Sequence, residues 1–404
     1  MERKLEDYTS IVGRDIVERI RERAKKLEGL SMVHINSTFY GGGVAEILKV
    51  LIPLLNDVGI DAYWKTLEGI PKFFETTKKI HNALQGNLNI HLTEEEKKLY
   101  LEINRKFSEK HKLDYDIVVV HDPQPAGIVD FYEKKQPWVW RCHIDLSNPN
   151  PSVWKFIKGF VAKYDMAIIS NEEYVGKDFP TRYRIIHPAI DPLSDKNRDI
   201  GMEEAERILD RQGIPLDKPY ILQVSRFDPW KDPPGVIKIF RKVREKIPVR
   251  LVMCGGMAHD DPEGERIYEE IRRETEDLTK SGNLIFLVDA DDITVNALQR
   301  MASVVIQKSI KEGFGLTVTE AMWKERAVVA SRVGGIKIQI EDGKSGFLVD
   351  PYDIDGFAAI TLKLLRDREL AERIGKNARE RVKRNFLITR LLEDYLKIMD
   401  GLIC

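Results

Sequence analysis

Two carboxylates lie on either side of a glycine-rich loop in the second half of the chain. Glu312 and Glu320 are separated by seven residues, two of which are glycines. The apolar run at 304–306 predicts a strand before the loop, and Leu316 to Lys324 predicts a helix after it. A tight loop that opens a helix presents free backbone N–H groups to an anion or a sugar hydroxyl. The spacing therefore predicts a ligand-binding loop, with Glu312 in the loop and Glu320 about a turn and a half into the helix.

Two cations share another predicted loop. Arg226 and Lys231 lie five positions apart, between a predicted strand that ends at Val224 and a predicted helix. Arginine offers a planar fork of donors and lysine a compact charge, so the two could converge on a diphosphate. Such a pair on its own is usually part of a solvated loop. Together with the loop at Glu312, it favours a diphosphate site.

Three glycines, Gly41 to Gly43, follow the first predicted strand. They allow a ligand to approach the backbone at a helix N-terminus. A nicotinamide-binding fingerprint needs a further glycine where Glu46 stands, and no acidic residue ends the second predicted strand. The run therefore predicts a ligand loop or a plain tight turn, and it argues against dinucleotide binding.

Polar side chains also follow two predicted strands of the first half. His143 and Asp145 come just past one strand, and Asp122 and Gln124 come just past another. Because ligands of parallel sheets bind at the carboxyl ends of the strands, we expect these side chains to face a binding crevice. A histidine there can orient a sugar hydroxyl or stabilise developing charge. A purely structural histidine is the alternative.

Three other patterns have simpler interpretations. Gly343-Lys344-Ser345 looks like the end of a phosphate loop, but Ile338 replaces the required first glycine, so a β-turn is predicted. The glycine pair Gly334-Gly335 either leaves room for a bound group or forms a plain loop. The helix at 153–164 has apolar residues on one face and lysines off it, which favours a core-facing helix over a membrane-surface helix.

Composition limits the class of protein. The 404 residues include 64 basic and 65 acidic ones, and this balance argues against nucleic acid as a partner. There is no apolar run of membrane-spanning length and no apolar region of a signal peptide, so we expect a cytoplasmic protein with no membrane partner. The three scattered cysteines predict reduced thiols. The Lys and Glu content is typical of a thermophile, and no ligand spacing predicts a metal site.

Short β-branched runs alternate with amphipathic helical stretches, and this pattern occurs twice. It predicts an α/β protein with two Rossmann-like, doubly wound parallel-sheet domains facing a cleft, with C-terminal helices. We assign 1–213 to an N-terminal domain with a helical extension, 214–385 to a C-terminal domain, and 386–404 to a helix that packs back on the N-terminal domain. The strands are predicted at 32–36, 62–65, 117–120, 138–141, 166–169, 184–187, 220–224, 250–253, 284–287, 304–307, 327–330 and 347–349.

Taken together and in this order, the motifs resemble those of family-4 retaining glycosyltransferases of the GT-B fold. The segment Glu312–Glu320 is similar to the donor-site motif of that family. Arg226 and Lys231 are similar to its diphosphate-binding pair. The glycine run 41–43 resembles its N-terminal glycine loop, and His143 its cleft histidine. The resemblance covers nearly the whole chain.

Four segments, 34–46, 121–125, 140–145 and 188–193, resemble a narrower group, the trehalose glycosyl-transferring synthases. The resemblance implies a retaining hexosyltransferase that forms trehalose from a nucleoside-diphosphate glucose and free glucose, with ADP-glucose and UDP-glucose both open as donors. It also implies that no cofactor is tightly bound, with Mg²⁺ able to assist at the donor diphosphate. The oligomeric state stays open, a homodimer being one option.

The resemblance also assigns roles to particular residues. The implied catalytic residues are His143, Arg226, Lys231 and Glu312. The implied donor-binding residues are Gly42, Gly43, Arg226, Lys231, Val288, Glu312, Gly313, Phe314, Gly315, Leu316 and Glu320. The implied acceptor-binding residues are Asn36, Asp122, Gln124, His143 and Asp145. No side chain stands out as a nucleophile, so we expect front-face attack with the leaving phosphate as base.

Other functions share parts of this pattern. A family-4 enzyme with a lipid or another sugar as acceptor would have every motif of the C-terminal domain. A non-catalytic nucleotide-sugar-binding protein would keep the donor site without transfer. A phosphorylase of the same fold is less favoured, because no lysine motif for pyridoxal phosphate is recognisable.

Overall fold

The computed structural model describes residues 3–39, 42–256 and 262–403. The chain divides into two compact units. The N-terminal unit contains the described residues up to Ala189 together with those from Ile388 onward, and the C-terminal unit runs from Ile190 to Leu387. Each unit is built on its own six-stranded sheet. The predicted pair of α/β domains is therefore confirmed.

All strands of the N-terminal unit are parallel. They are β1 (Ser31–Asn36), β2 (Asp61–Thr66), β3 (Ile117–His121), β4 (Trp138–Cys142), β5 (Met166–Ile169) and β6 (Tyr183–Ile185). Their order in the sheet is β2-β1-β3-β4-β5-β6. The helices before and between them are α1 (Thr9–Val12), α2 (Arg14–Lys25), α3 (Gly42–Asp57), α4 (Pro71–Leu84), α5 (Glu94–Lys110) and α6 (Pro151–Val161).

One face of this sheet packs against α4, α5 and α6. The core there includes Ile80, Tyr100, Trp140 and Phe160, all buried. The apolar positions of α6, including Ile157, are part of the same core. The prediction of a core-facing helix at 153–164 is therefore confirmed. Within the described ranges, no helix combines the length and the apolar character that crossing a bilayer requires.

The C-terminal unit repeats the parallel arrangement. Its strands are β7 (Tyr220–Val224), β8 (Arg250–Gly255), β9 (Leu284–Val288), β10 (Val304–Gln307), β11 (Val328–Ser331) and β12 (Phe347–Val349), in the order β12-β11-β10-β7-β8-β9. Its helices are α7 (Met202–Arg211), α8 (Pro233–Arg244), α9 (Pro262–Glu274), α10 (Glu276–Lys280), α11 (Asp292–Met301), α12 (Leu316–Trp323), α13 (Ile336–Gln339), α14 (Ile354–Arg366) and α15 (Arg368–Asn385). Every predicted strand is present, with small shifts at some ends, and residues 343–345 form the predicted turn.

The boundary between the units differs from the predicted position near 213. The segment from Ile190 to Gly213 belongs to the C-terminal unit, because α7 packs against α11. In addition, the indole N–H of Trp323 donates to the carbonyl oxygen of Asn197 over 3.1 Å. The prolines at 188, 192, 215 and 219 indicate irregular chain around the predicted boundary, but they do not indicate which core that chain joins. The last helix, α16 (Ile388–Ile403), packs against α2 and α3 of the N-terminal unit.

Candidate active site

The two predicted binding loops of the C-terminal unit follow neighbouring strands. β7 and β10 pair in the middle of the sheet, and the chain then runs from β7 to β8 on one side and from β10 to β11 on the other. Loops that leave toward opposite sides open a crevice at the carboxyl ends of the strands, where α/β sheets bind ligands. The loops 225–232 and 308–315 flank this switch point.

Lys231 and Glu312 form an ion pair between these two loops. The contact joins Lys231 Nζ to Glu312 Oε2. The two side chains are only 15% and 10% exposed. Ser309 Oγ donates to the same oxygen of Glu312 over 3.1 Å. The structure thus brings together two of the residues to which catalytic roles were assigned, and it holds both in fixed positions.

Arg226 lies on the same loop as Lys231 but is mostly exposed. Its side chain is 63% exposed, and Nη2 lies 3.4 Å from Asp228 Oδ2. Asp228 in turn accepts a hydrogen bond from the backbone N–H of Lys231 over 3.2 Å. The loop therefore presents one guanidinium to solvent, where phosphate oxygens could reach its donors.

Glycine shapes the loop that precedes α12. Gly315 is the N-cap residue of α12 and has a φ of 82°, a left-handed conformation that glycine adopts at little cost. A Cβ atom on Gly335 would lie 2.6 Å from the carbonyl oxygen of Gly313 and 2.6 Å from the Cα atom of Phe314. The Gly334-Gly335 pair therefore packs against the binding loop itself instead of leaving room for a bound group.

Gln339, which was not among the predicted site residues, holds the same loop. This fully buried side chain donates from Nε2 to the carbonyl oxygens of Phe314 and, over 3.3 Å, of Gly315. Its Oε1 accepts a hydrogen bond from Thr319 Oγ1 over 2.5 Å. The signal in the sequence was a glutamine between two isoleucines, at the end of the short helix α13.

Glu320 lies in α12 and is 3% exposed. One turn later, the buried ammonium of Lys324 donates to the carbonyl oxygen of Glu320 over 3.2 Å. Burial lowers the pKa of Lys324 to about 7, whereas the negative charge of Glu320 acts to raise it. Leu316 is the first residue of α12. Val288 ends β9 at the edge of the sheet, two strands from β7, so the structure does not bring it to the switch point.

Further buried polar groups connect the two loops. Lys308 Nζ forms an ion pair with Asp232 Oδ2, and the Lys308 side chain is only 1% exposed. Gln223 donates from Nε2 to Ser225 Oγ over 3.0 Å and to the Lys231 carbonyl oxygen over 3.3 Å. Its Oε1 lies 3.5 Å from the backbone nitrogen of Lys308. Gln223 and Lys308 were not among the predicted site residues, yet they determine the relative position of both loops.

The N-terminal sheet has its own switch point, between β1 and β3. The chain runs from β1 to β2 on one side and from β3 to β4 on the other. Gly42 and Gly43 begin α3, with Gly42 at a φ of 78°, and Gly41 lies outside the described residues. The residues predicted to bind the acceptor lie at or just past the carboxyl ends of β1, β3 and β4: Asn36, Asp122, Gln124, His143 and Asp145.

These side chains differ in what they already contact. The Asn36 amide is engaged at both ends, since Nδ2 donates to the Thr38 carbonyl oxygen and Oδ1 accepts from Trp64 Nε1, each over 2.8 Å. Asp145 accepts the backbone N–H two residues further on, over 2.8 Å. Gln124 Oε1 is buried and has no hydrogen-bond partner within residues 3–39, 42–256 and 262–403. Asn36 therefore stabilises its loop, whereas the buried Gln124 Oε1 has its hydrogen-bonding capacity unused among the described residues.

Asp122 has an unusual backbone and an unusual acidity. Its φ is 64°, and its Oδ1 accepts the backbone N–H of His143 over 2.7 Å. Burial raises the pKa of Asp122 to about 7, although the His143 N–H and the Arg141 charge act to lower it. The carboxyl group can therefore donate or accept a hydrogen bond near neutral pH.

Three histidines form a hydrogen-bonded chain that ends at this edge. His34 Nδ1 lies 2.9 Å from His121 Nε2, and His121 Nδ1 lies 3.0 Å from His143 Nε2. His34 and His121 are buried inside β1 and β3, and His143 is partly exposed. Burial lowers the pKa of His34 to about 3 and the pKa values of the other two well below their ordinary range. Burial therefore favours the neutral form of all three imidazoles at neutral pH.

The comparisons with known proteins first establish the class. The chain is similar to the sucrose-phosphate synthase of Thermosynechococcus elongatus, with a TM-score of 0.72 at 19% identity over 92% of this chain and 99% of that one. Residues 204–381 match the family model described as "Glycosyl transferases group 1". The two doubly wound units thus have the GT-B fold, and the protein is a glycosyltransferase, as predicted.

The comparisons then narrow the family. Residues 34–176 match the model described as "Trehalose synthase, N-terminal domain". The trehalose synthase of Thermococcus litoralis is 52% identical over 402 residues, and that of Rubrobacter xylanophilus is 44% identical over 411. Each alignment covers 99% of this chain and 97% of the relative. The chain belongs to the trehalose synthase family, and the Thermococcus relative agrees with the composition typical of a thermophile.

Proposed function

We propose that this protein is a retaining hexosyltransferase that forms α,α-trehalose from ADP-glucose or UDP-glucose and free glucose. The bond between the anomeric carbon of the donor glucose and the diphosphate breaks, and a bond to the anomeric oxygen of the acceptor forms. The acceptor proton leaves with the nucleoside diphosphate. The main support is the Lys231–Glu312 pair at the switch point of a chain that belongs to the trehalose synthase family.

The C-terminal unit would bind the donor. Arg226 and Lys231 would neutralise the charge that develops on the departing diphosphate, aided by the backbone N–H groups of the loop before α12. Glu320 would accept hydrogen bonds from the ribose hydroxyls, as acidic residues do in related sheets. Glu312 would bind hydroxyls of the transferred glucose. The ion pair between Lys231 and Glu312 supports these roles, because it holds the cation proposed to bind phosphate beside the carboxylate proposed to bind sugar.

The N-terminal unit would bind the acceptor glucose. A sugar hydroxyl both donates and accepts hydrogen bonds, and the groups at this edge match that chemistry. Gln124 keeps a buried acceptor oxygen, and Asp122 titrates near neutral pH. His143 would hold a further hydroxyl. Exclusion of water around both sugars would limit hydrolysis of the donor.

Retention of configuration is best explained by front-face attack, with the leaving phosphate as base. A double displacement needs a carboxylate free to attack the far face of the sugar. Glu312 is engaged by both Lys231 and Ser309, and Glu320 is 3% exposed within α12. Mg²⁺ would assist by pairing with the donor diphosphate.

Proton NMR of the purified protein with each donor and free glucose tests the proposal. We expect a symmetric α-anomeric doublet together with one nucleoside diphosphate released per disaccharide. Donor binding without trehalose formation, but with transfer to a lipid or another sugar, would show that glucose is not the acceptor. Donor binding without release of nucleoside diphosphate from any mixture would indicate a non-catalytic binding protein. A reaction that requires inorganic phosphate would indicate a phosphorylase.

A further inference from the structure

The histidine chain at the N-terminal edge restricts how His143 can act. A neutral imidazole carries one N–H and one acceptor nitrogen, and each contact in the chain needs one of each. The proton position on one ring therefore determines the proton position on the next. His34, His121 and His143 have only two concerted arrangements, one with Nδ1–H on all three rings and one with Nε2–H on all three.

The surroundings of the three histidines favour the neutral imidazoles. Burial is the main cause that lowers the pKa values of all three histidines, and the Arg141 guanidinium lowers those of His121 and His143 further. Arg141 is 1% exposed and lies at the end of β4, beside β3. A positive charge held this close opposes a second one on the imidazoles.

The outer ring nitrogens at the two ends of the histidine chain differ in their access to a hydrogen-bond partner. His34 Nε2 is buried and has no hydrogen-bond partner among the residues that the structure describes. His143 is partly exposed at the carboxyl edge, so its Nδ1 can reach water or a ligand. The Nε2–H arrangement would leave a buried N–H of His34 without an acceptor, and such groups are rarer in proteins than unpaired acceptors. The Nδ1–H arrangement instead places the last N–H on His143.

We infer that His34 and His121 form a relay that holds His143 in its Nδ1–H tautomer, so that His143 donates a hydrogen bond to a sugar hydroxyl and does not act as a base. His34 and His121 are positioning residues in this scheme, because neither reaches the ligand. A donor at the hydroxyl oxygen leaves the hydroxyl proton available to another group. The inference rests on the proposed function only for the identity of the ligand.

Two-bond ¹H–¹⁵N correlation NMR of protein labelled at histidine reads each tautomer directly, without substrate. The signals of His143 are assigned by their loss in His143→Asn. His187 provides an internal reference, because its Nδ1 lies 2.9 Å from the Ser170 carbonyl oxygen and must carry a proton. We expect Nδ1–H signals from His34, His121 and His143. Nε2–H on His143, or a charged imidazolium at neutral pH, would overturn the inference.

Two variants of His34 separate positioning from packing. His34→Asn keeps an N–H close to the position of Nδ1, whereas His34→Leu removes it. We expect His34→Leu to give mixed tautomers at His143 and about a tenfold loss of kcat/KM for glucose, from the loss of one buried hydrogen bond. His34→Asn should restore most of both. Unchanged His143 signals in His34→Leu would contradict the relay, and so would an Asn variant that folds but restores neither property.

The NMR result and the transfer assay fail independently. Absence of trehalose formation with intact Nδ1–H signals would refute the proposed function and leave the relay in place. Trehalose formation with His143 in its Nε2–H tautomer would refute the relay and leave the proposed function in place. If His34→Leu does not fold, the wild-type spectrum and the Asn variant still decide the question.

Discussion

Lys231 and Arg226 occupy one loop but differ in burial, and this difference separates their roles in folding. Lys231 is held by Glu312 with 15% of its side chain exposed, so its loss would leave a buried carboxylate without its cation. Arg226 is 63% exposed and contacts Asp228 at 3.4 Å. Substitution of Arg226 is therefore the cleaner test of diphosphate binding.

We expect Arg226→Ala to lower kcat by roughly 100- to 1000-fold, the usual cost of losing one donor to charge that develops in the transition state. The midpoint of thermal unfolding should not change. Arg241→Ala is the matched control, because Arg241 is also exposed and, among the described residues, pairs only with the Asp277 carboxylate and the Glu274 carbonyl oxygen. Steady-state release of nucleoside diphosphate measures both variants. Near-normal turnover of Arg226→Ala would refute the assigned role.

The raised pKa of Asp122 predicts that the stability of the protein depends on pH. Its pKa is raised from 3.8 to about 7, so the folded state binds this proton more tightly than the unfolded state does. Stability contributed by the protonated carboxyl is present below about pH 4 and is lost as the pH rises to about 7. An asparagine at this position keeps an oxygen that accepts the backbone N–H of His143, and asparagine tolerates a φ of 64°.

Asp122→Asn should therefore raise the free energy of unfolding at pH 8 by at least about 1 kcal/mol and change it little at pH 4. Urea unfolding of both proteins at both pH values measures the difference. An equal effect at the two pH values would show that the carboxyl does not titrate in this range. If Asp122 binds the acceptor, the same variant should raise the KM for glucose.

At the scale of elements, the loop before α12 is positioned by the loop that leads into α13. A Cβ atom on Gly335 would lie 2.6 Å from the backbone of the loop before α12. Gln339 then ties α13 to the carbonyl oxygens of Phe314 and Gly315. The predicted binding loop is thus supported by a short helix that contains none of the predicted site residues.

Gly335→Ala should displace the binding loop, because the new methyl group overlaps backbone that cannot rotate away. We expect a loss of about 1 to 3 kcal/mol of stability, typical of overpacking, and a weaker affinity for the donor. Calorimetric titration with nucleoside diphosphate and thermal unfolding would measure these effects.

Gly159→Ala is the control for that substitution. Gly159 lies in α6, where a Cβ atom would have nothing within 4 Å. It should stabilise α6 slightly, since alanine is the better helix former. Donor affinity should stay at the wild-type value. Equal donor affinity in both variants would show that Gly335 does not position the loop.

At the scale of the whole molecule, the two units differ in how the chain builds them. The C-terminal unit is one continuous segment, Ile190–Leu387, with its own sheet and core. The N-terminal unit is discontinuous, because α16 returns to it and packs on α2 and α3. Only the C-terminal unit can therefore be cut out as a single segment that keeps its core.

We expect residues 190–387, expressed alone, to fold and to bind a nucleoside-diphosphate glucose without transferring the sugar. Intrinsic fluorescence and calorimetric titration would measure folding and binding. The same segment with Arg226→Ala should fold equally well and bind more weakly. A folded segment that binds neither donor nor nucleoside diphosphate would contradict the assignment of the donor site to this unit.

Local sequence patterns were sufficient to predict much of the fold and part of the candidate site. Apolar and β-branched runs predicted the central strands, because a strand buried on both faces of a parallel sheet needs apolar residues throughout. The loop at Gly315 and the turn at 343–345 could also be predicted from the sequence, because each depends on only a few adjacent residues. His143 was identified because it directly follows such a strand, and Glu312 and Lys231 because they lie in loops that follow two others.

Other features required the tertiary structure, because they join residues that are distant in the chain. His34 meets His121 across 87 positions and Gln339 meets Phe314 across 25, and both pairings depend on which strands and loops are neighbours. Hydrophobic periodicity indicates that a strand is buried, but it does not indicate which strand lies beside it. The same limit explains the boundary at Ile190, since composition indicates a connecting segment and only packing decides which core it joins.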